Sequence, residues 1–253
     1  MNGQEKIAKL STVERLKVAK AKTQRLVDHA LYVLELHENN AITFYSPILA
    51  SQIPTSHAAN AFITFRHALH QFEMVRLCAL WDGIDLEKEN IPTVIELIDH
   101  PDVIEALGLA TESHWKGHGG HTDLPDDPEL LALFVKSNEE YGAQQGTRTR
   151  EEARKAIQDG RKLLHSAKLT SIMNLRDKYL AHSLTETRRE RKVGPLDPVK
   201  YGDERAILDA SLPIVQALHS AVNGTGFDFE NSRLINQKNA KALWETCTFN
   251  VKY

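Results

Sequence analysis

The stretch "REEARKAIQDGRKLLHSAKLTSIMNLRDKYLAHSL", Arg150 to Leu184, lies within the longest run of the chain without a proline, residues 129 to 194. Ala153, Ala156, Ile157, Leu164, Ile172 and Leu175 recur in it at helical spacing, and acidic residues fill its first turn. Thr149 before it supplies a cap, so the pattern predicts one helix of roughly 50 Å at 1.5 Å per residue. Gly160 and the pair Thr170 and Ser171 are the places where such a helix would bend. A helix of that length needs comparable partners, and the rest of the chain supplies them.

Upstream, "STVE" at Ser11 to Glu14 has the form of a capping box for a helix that runs to about Glu38, with Asn39 and Asn40 as its stop. Pro47 and Pro54 mark a loop. "SHAANAFITFRHALHQFEMVRLCALWDG" then carries Phe62, Phe65, Leu69, Phe72, Val75, Ala79 and Leu80 at three- and four-residue intervals, which predicts a second long helix with this stripe facing the core. Trp81 and Asp82 at its end read as an aromatic anchor and a helix-end polar group. Residues 84 to 126, with Pro92 and Pro101 at short-helix starts, read as an insertion of small helices and loop. Asp127 and Pro128 start a helix to about Tyr141. After the long helix, "TRRERKVGPLDPVKYG" reads as a basic loop. A helix follows from about Asp203 to Val222, with a kink or later start implied by Pro213, and a last helix covers about 231 to 247. Alternation of period two is nearly absent, so the fold class is all-α, read as a single domain over residues 1 to 253.

Composition narrows the function. With 42% apolar and 26% charged residues, the chain has ordinary globular composition, and no apolar run approaches the length of a membrane span. The charged N-terminus lacks the apolar segment of a secretory signal, and Cys78 and Cys247 have no metal or redox spacing. A cytoplasmic location without membrane attachment is expected. The net charge of -3 argues against general coating of nucleic acid and restricts any such role to a local basic face. A phosphate-binding glycine loop, a G-x-S-x-G elbow, an H-E-x-x-H helix and a C-x-x-C pair are all missing. His114, His118 and His121 lie in a glycine-rich connection with no cysteine or glutamate to complete a zinc pattern, so no metal and no other cofactor is expected. The pairs Arg25/His29, Arg66/His70 and Arg161/His165 share helix faces without a supporting carboxylate and read as packing or surface contacts.

What remains is "NLRDKYLAHS", Asn174 to Ser183. An arginine and a histidine separated by four to six intervening residues are expected about twice by chance in this composition, so the spacing alone carries nothing. The context does: Asp177 follows Arg176, Ala181 and Ser183 flank His182, and the segment ends a long amphipathic helix. At 100° per residue, Arg176, Tyr179 and His182 would lie in order across one arc, with Ile172, Leu175 and Tyr179 as an apolar seam between the two polar groups. Asp177 would point elsewhere unless the helix end unwinds.

In these residues the chain resembles the HEPN superfamily, whose helical domains carry an arginine, a polar residue and a histidine at this place, and within it the abortive-infection branch of bacterial phage-defence proteins. The resemblance extends to the order of long antiparallel helices from about Ser11 to Val222, which implies a HEPN-like helical bundle. For active members it implies metal-independent ribonuclease activity, with the arginine and histidine of two subunits meeting in the cleft of a homodimer. The catalytic set so implied is Arg176, His182 and Asp177, with RNA as partner. His182 suits proton transfer near neutral pH, and Arg176 suits a bidentate grip on phosphate oxygens. The expected contacts to RNA are Tyr179, Ser183, Arg188, Arg189, Arg191 and Lys192. The last four form either a positive rim for the backbone or a solvated basic loop after a helix end. A toxin role implies an antitoxin or other regulatory protein, and the alternative is a HEPN module that binds RNA, nucleotide or protein without cleaving.

Overall fold

The structure, a computed structural model, describes residues 2–116 and 125–251. Among the described residues it is all-α, without strands. In order the elements are α1 (Gly3–Ala8), α2 (Thr12–Tyr45), α3 (Pro47–Gln52), α4 (His57–Ala79), α5 (Ile91–Ile98), α6 (Pro101–Trp115), α7 (Pro128–Leu164) and α8 (Ala167–Leu175). A single π-helical turn, Arg176–Leu180, continues directly from α8 and is followed by α9 (Arg188–Val193), α10 (Asp203–Asn223) and α11 (Phe229–Trp244).

The chain divides into two compact units. The first comprises Met1–Arg25, Gly83–Lys162 and Ile214–Phe227. Its centre is α5, of which every residue except Glu96 is buried, so the stretch read as an insertion carries core. Asn90 caps α5 by accepting from the Thr93 N–H at 2.9 Å, and the Thr93 hydroxyl donates to the Asp85 carbonyl at 3.1 Å. Two glycines of α7 that face α6 account for α7 continuing through residues 142 to 149, where the sequence reads as a gap between two helices. A Cβ on Gly142 would stand 2.9 Å from the Trp115 side chain, and one on Gly146 would meet the Glu112 side chain. These glycines allow two helices to approach closely, a role that one chain's sequence does not separate from a loop signal.

The second unit comprises Leu26–Asp82, Leu163–Pro213 and Asp228–Tyr253. Leu34, Leu49, Met74, Leu77, Trp81, Leu169 and Leu208 are among its fully buried side chains. The Trp81 indole N–H donates to the Ser211 hydroxyl at 2.9 Å, and that hydroxyl donates onward to the Ile207 carbonyl at 2.6 Å. Helix α2 runs seven residues beyond its expected stop at Glu38 and ends before Ser46 and Pro47. The two asparagines do not cap it because their side chains are used elsewhere. Asn40 donates to Glu73 at 2.6 Å, and Asn39 donates to the Glu35 carbonyl while accepting from the Trp244 indole.

Helix α4 is rotated relative to expectation. Glu73, Met74, Leu77 and Cys78 face the core, whereas Phe65, Phe72 and Val75 are exposed. Polar chemistry sets this rotation. Glu73 accepts from His37 and Asn40 inside the unit, and Arg66 and Arg76 lie over the rings of Phe44 and Tyr32.

The helix expected over 150 to 184 is divided at His165 and Ser166 rather than at Gly160. Ser166 is extended, and its hydroxyl accepts from the Leu169 N–H at 3.3 Å, which starts α8 afresh. Gly160 stays helical because it seats Ile95, whose Cδ1 a Cβ there would crowd. Pro213 lies within α10 without ending it, and α11 ends at Trp244, three residues short of the expected boundary.

Candidate functional site

The arginine-histidine segment lies wholly in the second unit. Helix α8 begins at the Ser166 cap and buries Leu169, Ile172 and Met173, which fixes the direction in which the chain reaches Arg176. There the pitch widens: the Ala181 N–H donates to the Arg176 carbonyl at 2.8 Å, a five-residue span. The Leu184 N–H then folds back onto the Lys178 carbonyl at 3.0 Å and ends the turn. Residues 181 to 187 are not helical, so the expected arc of Arg176, Tyr179 and His182 on a regular helix does not form. Tyr179, expected in a packed seam, is 64% exposed.

Widening the turn brings neighbours together that a regular helix keeps apart. Arg176 donates through Nε at 2.9 Å and through Nη2 at 2.7 Å to Asp177 Oδ1. Its Nη1 donates to Asp82 Oδ1 at 2.5 Å, across 94 residues of sequence. The other oxygen of Asp177 accepts from Arg189 Nη1 at 2.6 Å. Asp82, Arg176, Asp177 and Arg189 thus form a chain of alternating charge between the end of α4, the π-turn and α9. Burial alone would disfavour the Arg176 cation, but the two carboxylates outweigh it and raise its pKa further. Cys78, one turn before Asp82, has its thiol pushed up to about 12 by burial, partly opposed by Arg176, and is inert as a nucleophile at neutral pH.

A second cluster ties α9 to the turn. Thr187 caps α9 in a capping box with Glu190, and its hydroxyl also donates to Asn174. Glu190 Oε1 accepts from Lys178 at 2.9 Å and Asn174 at 3.1 Å, while Oε2 accepts from the Thr187 N–H at 2.9 Å. The Lys178 ammonium and the backbone N–H hold the Glu190 carboxyl down at about 2. The basic stretch read as a loop therefore begins with a capped helix, and the cap signal Thr187-x-x-Glu190 was present in the sequence.

Of the residues singled out from sequence, Arg176, Asp177 and Arg189 are brought together. His182, Ser183, Arg188, Arg191 and Lys192 are exposed, with Arg191 3.4 Å from Glu186. Asp82, Asn174, Thr187 and Glu190 were not singled out as site residues; only the capping pair had a local signal. His114 lies in the last turn of α6, its ring edge-on to Trp115, while His118 and His121 lie outside the described residues. Among the described residues no group of three His, Cys, Asp or Glu side chains is placed to hold a metal ion, and no helix is long and apolar enough to cross a membrane.

An all-α chain whose arginine and histidine straddle the end of a core helix has the features of the HEPN class. Residues 19–243 match the profile of the family described as AbiU2, a HEPN family, and the chain belongs to it. No curated protein and no solved structure matches the chain.

Proposed function

We propose that the protein is a metal-independent endoribonuclease of the HEPN type, acting in abortive infection or as a related toxin. The observation that supports this reading most is the placement of Arg176 and His182: the guanidinium is hydrogen-bonded by Asp82 and Asp177, and His182 stands exposed just beyond the turn. Cleaving RNA without a metal requires a base for the 2'-hydroxyl, an acid for the 5'-oxygen and positive charge at the phosphorus-centred transition state. His182 takes the proton-transfer role. Arg176 takes the electrostatic one, through the N–H groups its carboxylates leave open. The product is a 2',3'-cyclic phosphate. A second copy packed against the same segment supplies the other proton-transfer group, and Arg188, Arg191 and Lys192 form the positive rim for the RNA backbone.

A second reading is an RNA-binding module without cleavage, favoured by the engagement of Nε, Nη1 and Nη2 of Arg176 with carboxylates. Purified protein incubated with mixed RNA in EDTA separates the two. Cleavage to cyclic phosphate ends, lost in both His182→Ala and a folded Arg176→Lys variant, supports the nuclease. RNA binding without cleavage supports the module, and equal cleavage by all three proteins would mean a contaminant. A monomer at every concentration would remove the two-subunit mechanism.

A further inference from the structure

Helix α4 has an outward face that is unusual for a chain with 26% charged residues. Its exposed positions, His57, Ala58, Asn60, Ala61, Ile63, Thr64, Phe65, His67, Ala68, Gln71, Phe72 and Val75, include no Asp, Glu, Lys or Arg. The charged residues of the helix, Arg66, Glu73 and Arg76, are turned inward onto Phe44, the pair His37 and Asn40, and Tyr32. Down the exposed face, Ala58, Ala61, Phe65, Ala68, Phe72 and Val75 follow one another at steps of 3, 4, 3, 4 and 3 residues, the seam of a helix that packs lengthwise on another. Phe65 is 45% exposed, Phe72 44% and Val75 37%, a cost in water that a covering helix would remove.

The order of sizes along the seam identifies the occupant. Read against itself in reverse, the seam pairs Ala58 with Val75, Ala61 with Phe72 and Phe65 with Ala68. Each small residue meets a large one, the condition for interdigitated packing. In parallel register alanine would meet alanine and phenylalanine would meet phenylalanine. An interface free of charge at its centre is also what a protein partner of the same composition tolerates, since neither copy buries an unpaired ion. We infer that α4 is a self-association surface on which a second copy of this chain packs its own α4 antiparallel, about a two-fold axis between Arg66 and His67.

This interface is not the one that would bring two arginine-histidine segments together. Around that axis the C-terminal ends of the two α4 helices, next to which Asp82 holds Arg176, lie roughly 40 Å apart. The inference therefore goes beyond the nuclease reading and does not rest on it. A protein that uses both surfaces assembles beyond the dimer.

Sedimentation of the full chain across the micromolar range tests the seam through mass alone. Phe72→Ala and Ala61→Phe should each weaken association about tenfold or more. The double variant Ala61→Phe with Phe72→Ala, which restores a large-small pair at the same contact, should recover it. Helical circular dichroism should be unchanged in all three because both positions are exposed. A wild-type monomer throughout would overturn the inference. So would association that neither single variant weakens, which would place self-contact elsewhere, for example at the arginine-histidine segment. A double variant no better than its parents would likewise exclude the antiparallel pairing.

Discussion

Arg176 and Asp82 are joined at 2.5 Å between the π-turn and the end of α4, with both side chains largely withdrawn from solvent. Arg176 is therefore a structural link as well as a candidate phosphate ligand. Replacing Asp82 by Ala leaves that guanidinium with Asp177 alone and should lower stability by about 1–3 kcal/mol, less than a fully buried pair because both side chains retain some exposure. Thermal melts of Asp82→Ala and Asp82→Asn measure this. If Arg176 also grips phosphate, RNA cleavage should fall in both variants at temperatures where both remain folded, since a loosened guanidinium is misplaced for the transition state. Unchanged melts would show that the contact carries no stability.

His182 gives the cleaner catalytic test. It is exposed, so His182→Ala should change stability by no more than about 0.5 kcal/mol. Loss of a general acid or base should nevertheless reduce cleavage about 10²- to 10⁴-fold. The pairing of an unaltered melt with lost cleavage distinguishes chemistry from folding. Arg176→Ala cannot do so, because the same substitution removes the ion pairs to Asp82 and Asp177 that tie the turn to α4.

The sequence conveyed the all-α class because apolar spacing at three and four residues is local and repeats through every long helix. It conveyed the arginine-histidine segment because those residue types are contiguous. Asp82 was opaque for the opposite reason: its partner is 94 residues away, and nothing in "WDG" distinguishes a cap from an ion pair. The rotation of α4 was opaque as well, since Phe65, Phe72 and Val75 form as regular a stripe as any core face. Only the inward partners of Arg66, Glu73 and Arg76 decide which side is outside. The π-turn followed no propensity signal and became visible only through the bond from Ala181 to Arg176.

Acid should loosen the segment that follows His182. Glu190 is held at about 2, below its ordinary value of 4.5, so its ionised form favours the folded clamp. That contribution is complete above about pH 4.5 and is lost as pH falls through about 2. Amide protection over residues 187 to 193, taken relative to the intrinsic exchange rate at each pH, should fall across this window in the wild type. In Glu190→Gln, protection should already be lower at neutral pH and respond less to acid, because Lys178 and the Thr187 N–H have lost their carboxylate. Equal acid response in the two proteins would assign the transition to another group.

The buried pair His37 and Glu73 should make the second unit sensitive at the alkaline side. His37 Nδ1 lies 2.8 Å from Glu73 Oε1, and both side chains are almost completely enclosed. Burial alone would lower the His37 pKa, but the hydrogen bond and charge of Glu73, helped by Glu38 and Glu204, raise it above 6.5. A histidine whose pKa rises on folding stabilises the fold fully below its unfolded value, and the benefit fades as pH rises through the folded value. The melting temperature should therefore decline as pH is raised from about 6.5. His37→Leu should cost about 3–5 kcal/mol near neutral pH, because Glu73 keeps Asn40 as a donor but loses its counter-charge. Adding Glu73→Leu to that variant should recover most of the loss by removing the stranded carboxylate. A double variant as unstable as His37→Leu alone would show that packing, rather than the uncompensated charge, sets the cost.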